Sequence, residues 1–172
     1  MTSEDSLTLG GERVLLRRAR KADVEALAGI LAEPAVARWW GDHEAEGLRS
    51  ELAEWPGSFV VELAGEVIGL VLVAEEEDPE YRHAGLDITL STAHHGRGLG
   101  REVLRLVIDH LVEARGHHRF TIDPSADNEV AIRCYEAVGF RPVGIMRRYW
   151  RGSDGSWHDG LLMDLLAEEL PR

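Results

Sequence analysis

The segment from His94 to Gly100, HHGRGLG, places three glycines and an arginine between a strand-like run and a helix-like run. The first N–H groups of a helix have no intrahelical partners, and the helix dipole there favours negative charge. Glycine lets a bulky anion approach the backbone, and Arg97 and Arg101 can add ionic hydrogen bonds to phosphate oxygens. The segment therefore predicts a phosphate site, with a purely structural tight turn as the alternative.

Two common nucleotide motifs do not account for this segment. The P-loop requires a lysine followed by serine or threonine after its last glycine, and the segment has neither. The dinucleotide pattern G-x-G-x-x-G fails because Arg101 occupies the place of the third glycine. Asp123, about twenty residues further on, would suit a ribose contact and keeps a dinucleotide as a minor alternative.

Two further side chains stand out by their type and position. Asp87 lies within the alternating strand AGLDITL, on the face opposite Leu86 and Ile88. Carboxylates are uncommon in strands and costly to bury without a partner, so Asp87 is either functional or half of a structural ion pair. Tyr135 shares a helical stripe with Val138, which by itself predicts a core tyrosine whose hydroxyl has found a partner.

Hydrophobic periodicity predicts the elements that position these residues. We expect strands over 11–18, 58–63, 66–74, 84–90, 119–123, 140–149 and 157–166, and helices over 23–32, 43–55, 128–138 and the stretch after the glycine turn. Pro34 is expected to stop or break the first helix. Early hairpins, a central β-α-β-α-β run and a closing hairpin indicate a mixed α/β sheet in one domain, 1–172, with its core over about 11–167.

The chain is acidic, and its charge is unevenly distributed. Residues 1–96 contain 8 basic and 19 acidic side chains, a net charge of −11, whereas residues 97–172 contain 11 and 12, a net charge of −1. The total of −12 argues against nucleic acid or an anionic membrane surface as a partner. The two halves either serve opposite ligands, a cation and an anion, or the acids merely keep the protein soluble.

Several other functions are excluded or disfavoured by composition. No apolar stretch approaches the roughly 20 residues of a membrane span, and the N-terminus lacks a signal pattern, so we expect a cytoplasmic protein. The single cysteine, Cys134, cannot form an internal disulfide and lies on a buried stripe, which favours a structural role over a nucleophilic one. The eight histidines form no H-x-E or H-x-x-x-H set, so no metal site is expected.

Two motifs in the expected order resemble one family. H-G-R-G-L-G resembles the [QR]-x-x-G-x-[GA] pyrophosphate loop of the GNAT N-acetyltransferases, with His95 where the family usually has Gln or Arg. NEVAIRCYEAVGF is similar to the family's N-x-x-A-x-x-x-Y-x-x-x-GF segment, and the resemblance extends from Arg13 to the last strand. Within the family, VARWWGDHE and TIDPSADNEVAIRCYEAVGF look most like aminoglycoside 6′-N-acetyltransferases.

This resemblance implies a fold and a co-substrate. The GNAT fold is a mixed, mostly antiparallel sheet flanked by helices and splayed between the fourth and fifth of the strands predicted above. Acetyl-CoA would lie in the splay, with its pantetheine arm paired to the backbone of the fourth predicted strand. The implied acetyl-CoA contacts are Ile88, Thr89, Leu90, His95, Gly96, Arg97, Gly98, Leu99, Gly100, Arg101 and Asn128, although helix capping alone would explain Asn128.

The resemblance also assigns roles in acetyl transfer. Tyr135 becomes the candidate general acid for the thiolate, and Asp87 the general base, direct or through water, or the anchor of the ammonium group. Trp40 is the candidate aromatic wall for a sugar ring or ammonium, whereas Trp39 is expected in the core. The alternative is that both tryptophans belong to the core. The implied acceptor contacts are Trp40, Asp42, Asp87, Asp123 and Asp159.

The expected protein is therefore an enzyme, a monomeric or homodimeric N-acetyltransferase acting on a polycationic small-molecule amine. An aminoglycoside-like acceptor would make it an antibiotic-resistance enzyme. Two alternatives stay open: acylation of another amine, such as a siderophore lysine or a protein N-terminus, and a catalytically silent acyl-CoA sensor.

Overall fold

The computed structural model describes residues 6–41, 45–54 and 56–171, and these segments form eight strands and five α-helices. The strands are β1 (Thr8–Gly10), β2 (Val14–Arg18), β3 (Phe59–Leu63), β4 (Glu66–Glu76), β5 (His83–Leu90), β6 (Arg119–Ile122), β7 (Arg141–Arg151) and β8 (Trp157–Leu166). The helices are α1 (Val24–Leu31), α2 (Pro34–Trp40), α3 (Ala45–Glu54), α4 (Leu99–Arg115) and α5 (Glu129–Val138). Short 3₁₀ turns lie at Lys21–Asp23, Thr92–His94 and Ala167–Glu169.

All eight strands belong to one sheet of order β1-β2-β3-β4-β5-β6-β8-β7. Each neighbouring pair is antiparallel except β5 and β6, which are parallel. The predicted mixed, mostly antiparallel sheet flanked by helices is confirmed. The short strand β1 was not predicted, so the fourth and fifth predicted strands are β5 and β6.

The sheet opens between β5 and β6. The two strands pair only at Ala84–Phe120 and Gly85–Thr121. Beyond that point β5 continues alongside β4, whereas the chain after β6 turns toward β8, where Leu161 N donates to Pro124 O at 2.9 Å. The strands therefore diverge and leave a cleft, the splay, along the second half of β5.

Helices cover both faces of the sheet. Helices α4 and α5 pack on one face, in a large apolar cluster that includes Val103, Val107 and Val138. Helices α1 to α3 pack on the other face, in a second cluster that includes Leu27 and Leu48. Because each face has its own buried cluster, the splay is bordered by a different group of helices on each side.

The longest helix, α4, has its predicted amphipathic pattern. Its buried side chains recur at three- and four-residue intervals, as one face of an α-helix requires: Leu99, Val103, Leu104, Val107, Ile108 and Leu111. The flanking Gly98 and Gly116 have φ of 75° and 70°, the left-handed conformation that favours glycine. No described helix is long and apolar enough to cross a membrane.

The first helical region differs from the prediction. Pro34 follows α1, as expected, but it is also the first residue of α2, which extends to Trp40. Proline suits this position because its missing N–H would have no helical partner there and its fixed φ fits the first turn. The helix predicted over 43–55 is observed as Ala45–Glu54, and residues 42–44 and 55 lie outside the described part of the chain.

Candidate active site

The loop between β5 and α4 exposes backbone donors toward the splay. Gly96 and Gly98 both have left-handed φ, 71° and 75°. The first main-chain bond of α4 runs from Glu102 N to Gly98 O at 3.3 Å, so the N–H groups of residues 99–101 precede the intrahelical ladder. A Cβ on Gly96 would have no atom within 4 Å, which leaves open space above the loop. This geometry fits a phosphate group.

Two guanidinium groups flank the same loop. Nitrogens of Arg13 and Arg101 each lie 3.7 Å from the position that a Cβ on Gly98 would take. Arg13 also donates from Nη1 to Arg97 O at 2.7 Å and from Nε to Glu102 Oε2 at 2.9 Å. Arg13 was not predicted as a site residue, because it lies in a different element, far along the chain from the glycine motif.

The backbone of β5 alternates between β4 and the splay. Ser91 N donates to Ile68 O at 2.7 Å, so the polar backbone groups of Ser91 face β4. By strand alternation, those of Leu90 and Ile88 face the splay, whereas those of Thr89 face β4. Ile88 and the N–H of Leu90 can thus pair with an extended ligand, whereas Leu90 O already has His95 as a partner and the backbone of Thr89 is used within the sheet.

Two other predicted acetyl-CoA contacts have partners within the chain. The Nε2 atom of His95 lies 2.7 Å from Leu90 O, at the end of the splay. Asn128 caps α5, because its side-chain oxygen accepts a hydrogen bond from Ala131 N at 3.2 Å. Capping is therefore a sufficient reason for Asn128, while His95 stands at the entrance to the phosphate loop.

Asp87 lies on the α1–α3 face of the sheet, opposite Leu72 of β4. Its side chain is open to solvent, yet the surrounding protein partly desolvates the carboxylate and raises its pKa to about 7, and the nearby charge of Asp123 contributes to the rise. A carboxyl group with a pKa near neutrality is suited to accept a proton at physiological pH.

Asp123 directly follows β6 and accepts a hydrogen bond at Oδ2 from the hydroxyl of Tyr149 in β7. This hydrogen bond is the main reason that the pKa of Tyr149 rises to about 12, and burial and the charges of Asp123 and Asp87 contribute. Tyr149 was missed by the sequence analysis, since no motif or spacing connects β7 to the end of β6. The structure thus adds a phenol to the two predicted carboxylates.

Tyr135 approaches Asp87 and Asp123 from the α4–α5 face of the sheet. Its side chain is buried, and its ring meets Phe140 edge-on at 6.3 Å between centroids. Burial raises its pKa above the ordinary value, and Cys134, Asp87 and Asp123 raise it further. None of the hydrogen bonds within the described part of the chain involves its phenol group, whose proton is therefore available.

The remaining predicted acceptor contacts are Trp40, Asp159 and Asp42, which come from different parts of the chain. Trp40 is partly buried against the α1–α3 cluster, on the same face as Asp87, whereas Trp39 lies beneath the guanidinium of Arg38 at 4.5 Å. The expectation that Trp39 belongs to the core was wrong, because α2 turns it away from the cluster. Asp159 accepts a hydrogen bond from Arg148 N at 2.8 Å, and Asp42 lies outside the described residues.

Cys134 behaves as a structural residue. Its thiol lies 3.4 Å from the position of a Cβ on Gly100, where α5 packs against the start of α4. Burial raises its pKa, which disfavours the reactive thiolate. The cysteine therefore contributes packing behind the phosphate loop.

Comparison with known proteins agrees with this geometry. A profile of the acetyltransferase (GNAT) domain matches residues 13–141. Aminoglycoside N(6′)-acetyltransferase type 1 of Klebsiella pneumoniae is 32% identical over 166 residues, covering 84% of this chain and 82% of the relative. N-alpha-acetyltransferase RimI of Mycobacterium tuberculosis is 37% identical over 75 residues, covering 44% of this chain and 45% of RimI.

Among solved structures, RimJ of Mycobacterium smegmatis in complex with CoA-disulfide superposes with a TM-score of 0.85 at 28% identity, covering 96% of this chain and 90% of RimJ. The family profile spans most of the chain, including the phosphate loop and α5. Together with the splayed sheet, these matches confirm the predicted family. The chain belongs to the GNAT acetyltransferase family and is an N-acetyltransferase.

Proposed function

We propose that this enzyme transfers the acetyl group of acetyl-CoA to a primary amine of an aminoglycoside-like polycation. The observation that carries the proposal is the meeting of two carboxylates, Asp87 and Asp123, at the splay, where β5 and β6 run parallel from the Gly85–Thr121 pair. Such a pair of carboxylates suits an ammonium group. The 32% identity to an aminoglycoside N(6′)-acetyltransferase over most of both chains supports the same class of acceptor.

The phosphate loop and β5 supply a site of the right chemistry for acetyl-CoA. The N–H groups at the start of α4, with Arg13 and Arg101, would hold the diphosphate. The splay-facing backbone groups of Ile88 and Leu90 would pair with the amides of the pantetheine arm. This arrangement would direct the thioester toward Asp87 and Tyr135.

In the proposed reaction, Asp87 accepts a proton from the acceptor's ammonium group, directly or through water, and thereby frees the nitrogen lone pair. The nitrogen then attacks the thioester carbonyl carbon, the carbon–sulfur bond breaks, and the nitrogen releases its second proton to solvent as the amide forms. The departing thiolate takes the phenol proton of Tyr135, which solvent restores. The raised pKa of Asp87 favours its direction of transfer, since the carboxylate accepts protons near neutrality, and the raised pKa of Tyr135 keeps its phenol protonated until the thiolate appears.

A thiol-release assay with acetyl-CoA and a panel of amines tests this proposal. We expect the highest kcat/KM with aminoglycosides, falling as salt rises, while the KM for acetyl-CoA changes less, because salt screens attraction between a polycation and an acidic cleft. Equal, salt-independent activity on monoamines would overturn the aminoglycoside acceptor and leave the acetyltransferase assignment intact. The absence of turnover with every amine, despite binding of acetyl-CoA, would favour the sensor alternative.

A second candidate acceptor is the α-amino group of a peptide. The observation that favours it is the 37% identity over 75 residues to N-alpha-acetyltransferase RimI. In the same assay, short peptides with free N-termini are compared with their N-formyl forms. A preference for free peptides over aminoglycosides would establish this acceptor in place of the first.

A further inference from the structure

Tyr149 reaches the splay because strand β7 bulges at that point. Met146 pairs with Gly160 and Trp150 pairs with His158, so three residues of β7 lie opposite a single residue of β8. Within the bulge, Arg148 has a φ of 49°, which non-glycine residues rarely adopt. Its N–H donates to Asp159 Oδ1 at 2.8 Å, so a carboxylate holds this strained backbone in place.

The ring of Tyr149 rests on a residue that has no side chain. A Cβ on Gly160 would lie 2.6 Å from Cδ1 of Tyr149 and 3.2 Å from its Cγ, closer than packed atoms allow. Gly160 is itself buried and bridges to Ser125, two residues after Asp123. The bulge and the glycine together bring the phenol to Asp123, although its ring remains 47% exposed.

We infer that Tyr149 is a positioning residue that holds the carboxylate of Asp123 by one oxygen and leaves the other for the acceptor's ammonium group beside Asp87. The phenol donates to Oδ2 of Asp123, and Oδ1 has no hydrogen bond among the described residues. A carboxylate held in this way offers its free oxygen in a single direction, so the ammonium group of the substrate approaches the splay in one orientation. This role rests on the proposed function, because it concerns the acceptor side of the same reaction.

The charge state of the pair suits this role. The hydrogen bond to Asp123 raises the pKa of Tyr149 to about 12, so the phenol remains a donor throughout the neutral range. Burial raises the pKa of Asp87, and the nearby charge of Asp123 contributes to the rise. Asp159 and Arg148 face the bulge itself, and His158 stacks on Trp150 beyond it.

Kinetics of Tyr149→Phe test the role directly. We expect the KM for the best amine acceptor to rise about tenfold, kcat to stay within about threefold, and the KM for acetyl-CoA to stay within about twofold, since only the acceptor's anchor is loosened. Tyr81→Phe, at a 69% exposed tyrosine of the β4–β5 loop, is the matched control and should equal the wild type. A Tyr149→Phe enzyme with unchanged acceptor KM would overturn the inference.

A double-mutant cycle separates positioning from independent contact. If Tyr149 acts through Asp123, Tyr149→Phe should add less than about twofold to the KM increase of Asp123→Asn. Additive losses would mean that Tyr149 contacts the acceptor by itself and would contradict the inference. The cycle can be measured with whichever amine the wild type acetylates, so a wrong acceptor class does not affect it.

The ionisation of Tyr149 can be followed by absorbance spectroscopy, without any acetyl transfer. Phenolate absorbance in the wild type should show no ionisation of Tyr149 below about pH 11, whereas Asp123→Asn should let one additional tyrosine ionise near pH 10. The additional ionisation should vanish when Tyr149→Phe is combined with Asp123→Asn. Identical titrations with and without Asp123 would overturn the inferred pair, and a failure of amine acetylation alone would overturn only the proposed function.

Discussion

The two walls of the splay are built in different ways. The phosphate wall comes mainly from one continuous segment, residues 94–101, whose left-handed glycines and helix start place donors by local backbone geometry. The acceptor wall comes from side chains of separate elements: Asp87 in β5, Asp123 after β6 and Tyr149 in β7. Under the proposed function, the first wall binds the diphosphate through its backbone, and the second supplies the titratable groups that face the acceptor. Substitutions in the two walls should therefore affect different kinetic parameters.

One carboxylate attaches the helices of the α1–α3 face to the segment that precedes the phosphate wall. Glu33, at the junction of α1 and α2, accepts hydrogen bonds from Ser91 Oγ at 2.8 Å and Thr92 N at 2.7 Å. Burial opposes ionisation of Glu33, but these hydrogen bonds outweigh it and lower its pKa. Helices α1 and α2 are thereby attached to the segment that leads into the phosphate loop.

The largest effect is expected on the acceptor wall, from Asp87→Asn. The loss of the base should lower kcat by about 10²–10⁴-fold, and the rise of kcat/KM with pH through about 7 should disappear, because the ionising carboxyl group is gone. The loss should shrink at high pH, where the amine deprotonates by itself. Glu76→Gln, an exposed acid at the end of β4, is the control. If Asp87→Asn kept the pH profile of the wild type, Asp87 would not be the base.

Tyr135→Phe should produce the next largest effect. The ring keeps its place in the core and only the proton donor is lost, so kcat should fall by about 10²–10³-fold while the affinity for acetyl-CoA is unchanged. Steady-state rates and calorimetric titration with acetyl-CoA measure the two quantities. A kcat within about twofold of the wild type, together with an unchanged single-turnover rate, would assign Tyr135 a structural role.

The phosphate wall is tested by two matched glycine substitutions at opposite ends of α4. Gly98→Ala and Gly116→Ala carry a similar left-handed strain, since φ is 75° and 70°, and neither Cβ would meet an atom closer than 3.7 Å. Both should lower stability similarly, but only Gly98→Ala should weaken acetyl-CoA binding, by about tenfold. Equal affinities of the two variants in calorimetry would contradict the loop assignment.

The smallest effect is a gain in stability. The pKa of Asp87 is about 7 in the folded protein, above its value in the unfolded chain, so folding favours the protonated form. The contribution of Asp87 to stability is therefore fully present below about pH 4 and is lost as pH rises through about 7. Asp87→Asn removes this dependence and should raise Tm by ~2–4 °C at pH 8, with the difference shrinking toward pH 4. Differential scanning calorimetry at both pH values measures this difference in Tm. A difference that does not change with pH would contradict the raised pKa of Asp87.

Several elements could be predicted because their causes are local. The apolar stripe of α4, the alternation of β5 and the glycine turn between them follow from side-chain period and backbone freedom over a few residues. The break at Pro34 was also predicted, but not the helix that begins there. Proline ends one helix and begins another for the same reason, its missing N–H, and only the packing of Val36 and Trp40 against the second cluster selects the second outcome.

The sequence by itself determined the glycine turn before α4 and the places in the chain of the two candidate carboxylates and the tyrosine of α5, because each is marked by an unfavourable residue type or a motif within one element. Only the tertiary structure decided that Arg13 flanks the loop, that Asp159 holds a bulge, and that Tyr149 meets Asp123. These contacts depend on strand order and on a three-against-one bulge between β7 and β8. Such long-range pairing is set by burial of the whole sheet, and no local spacing of residues encodes it.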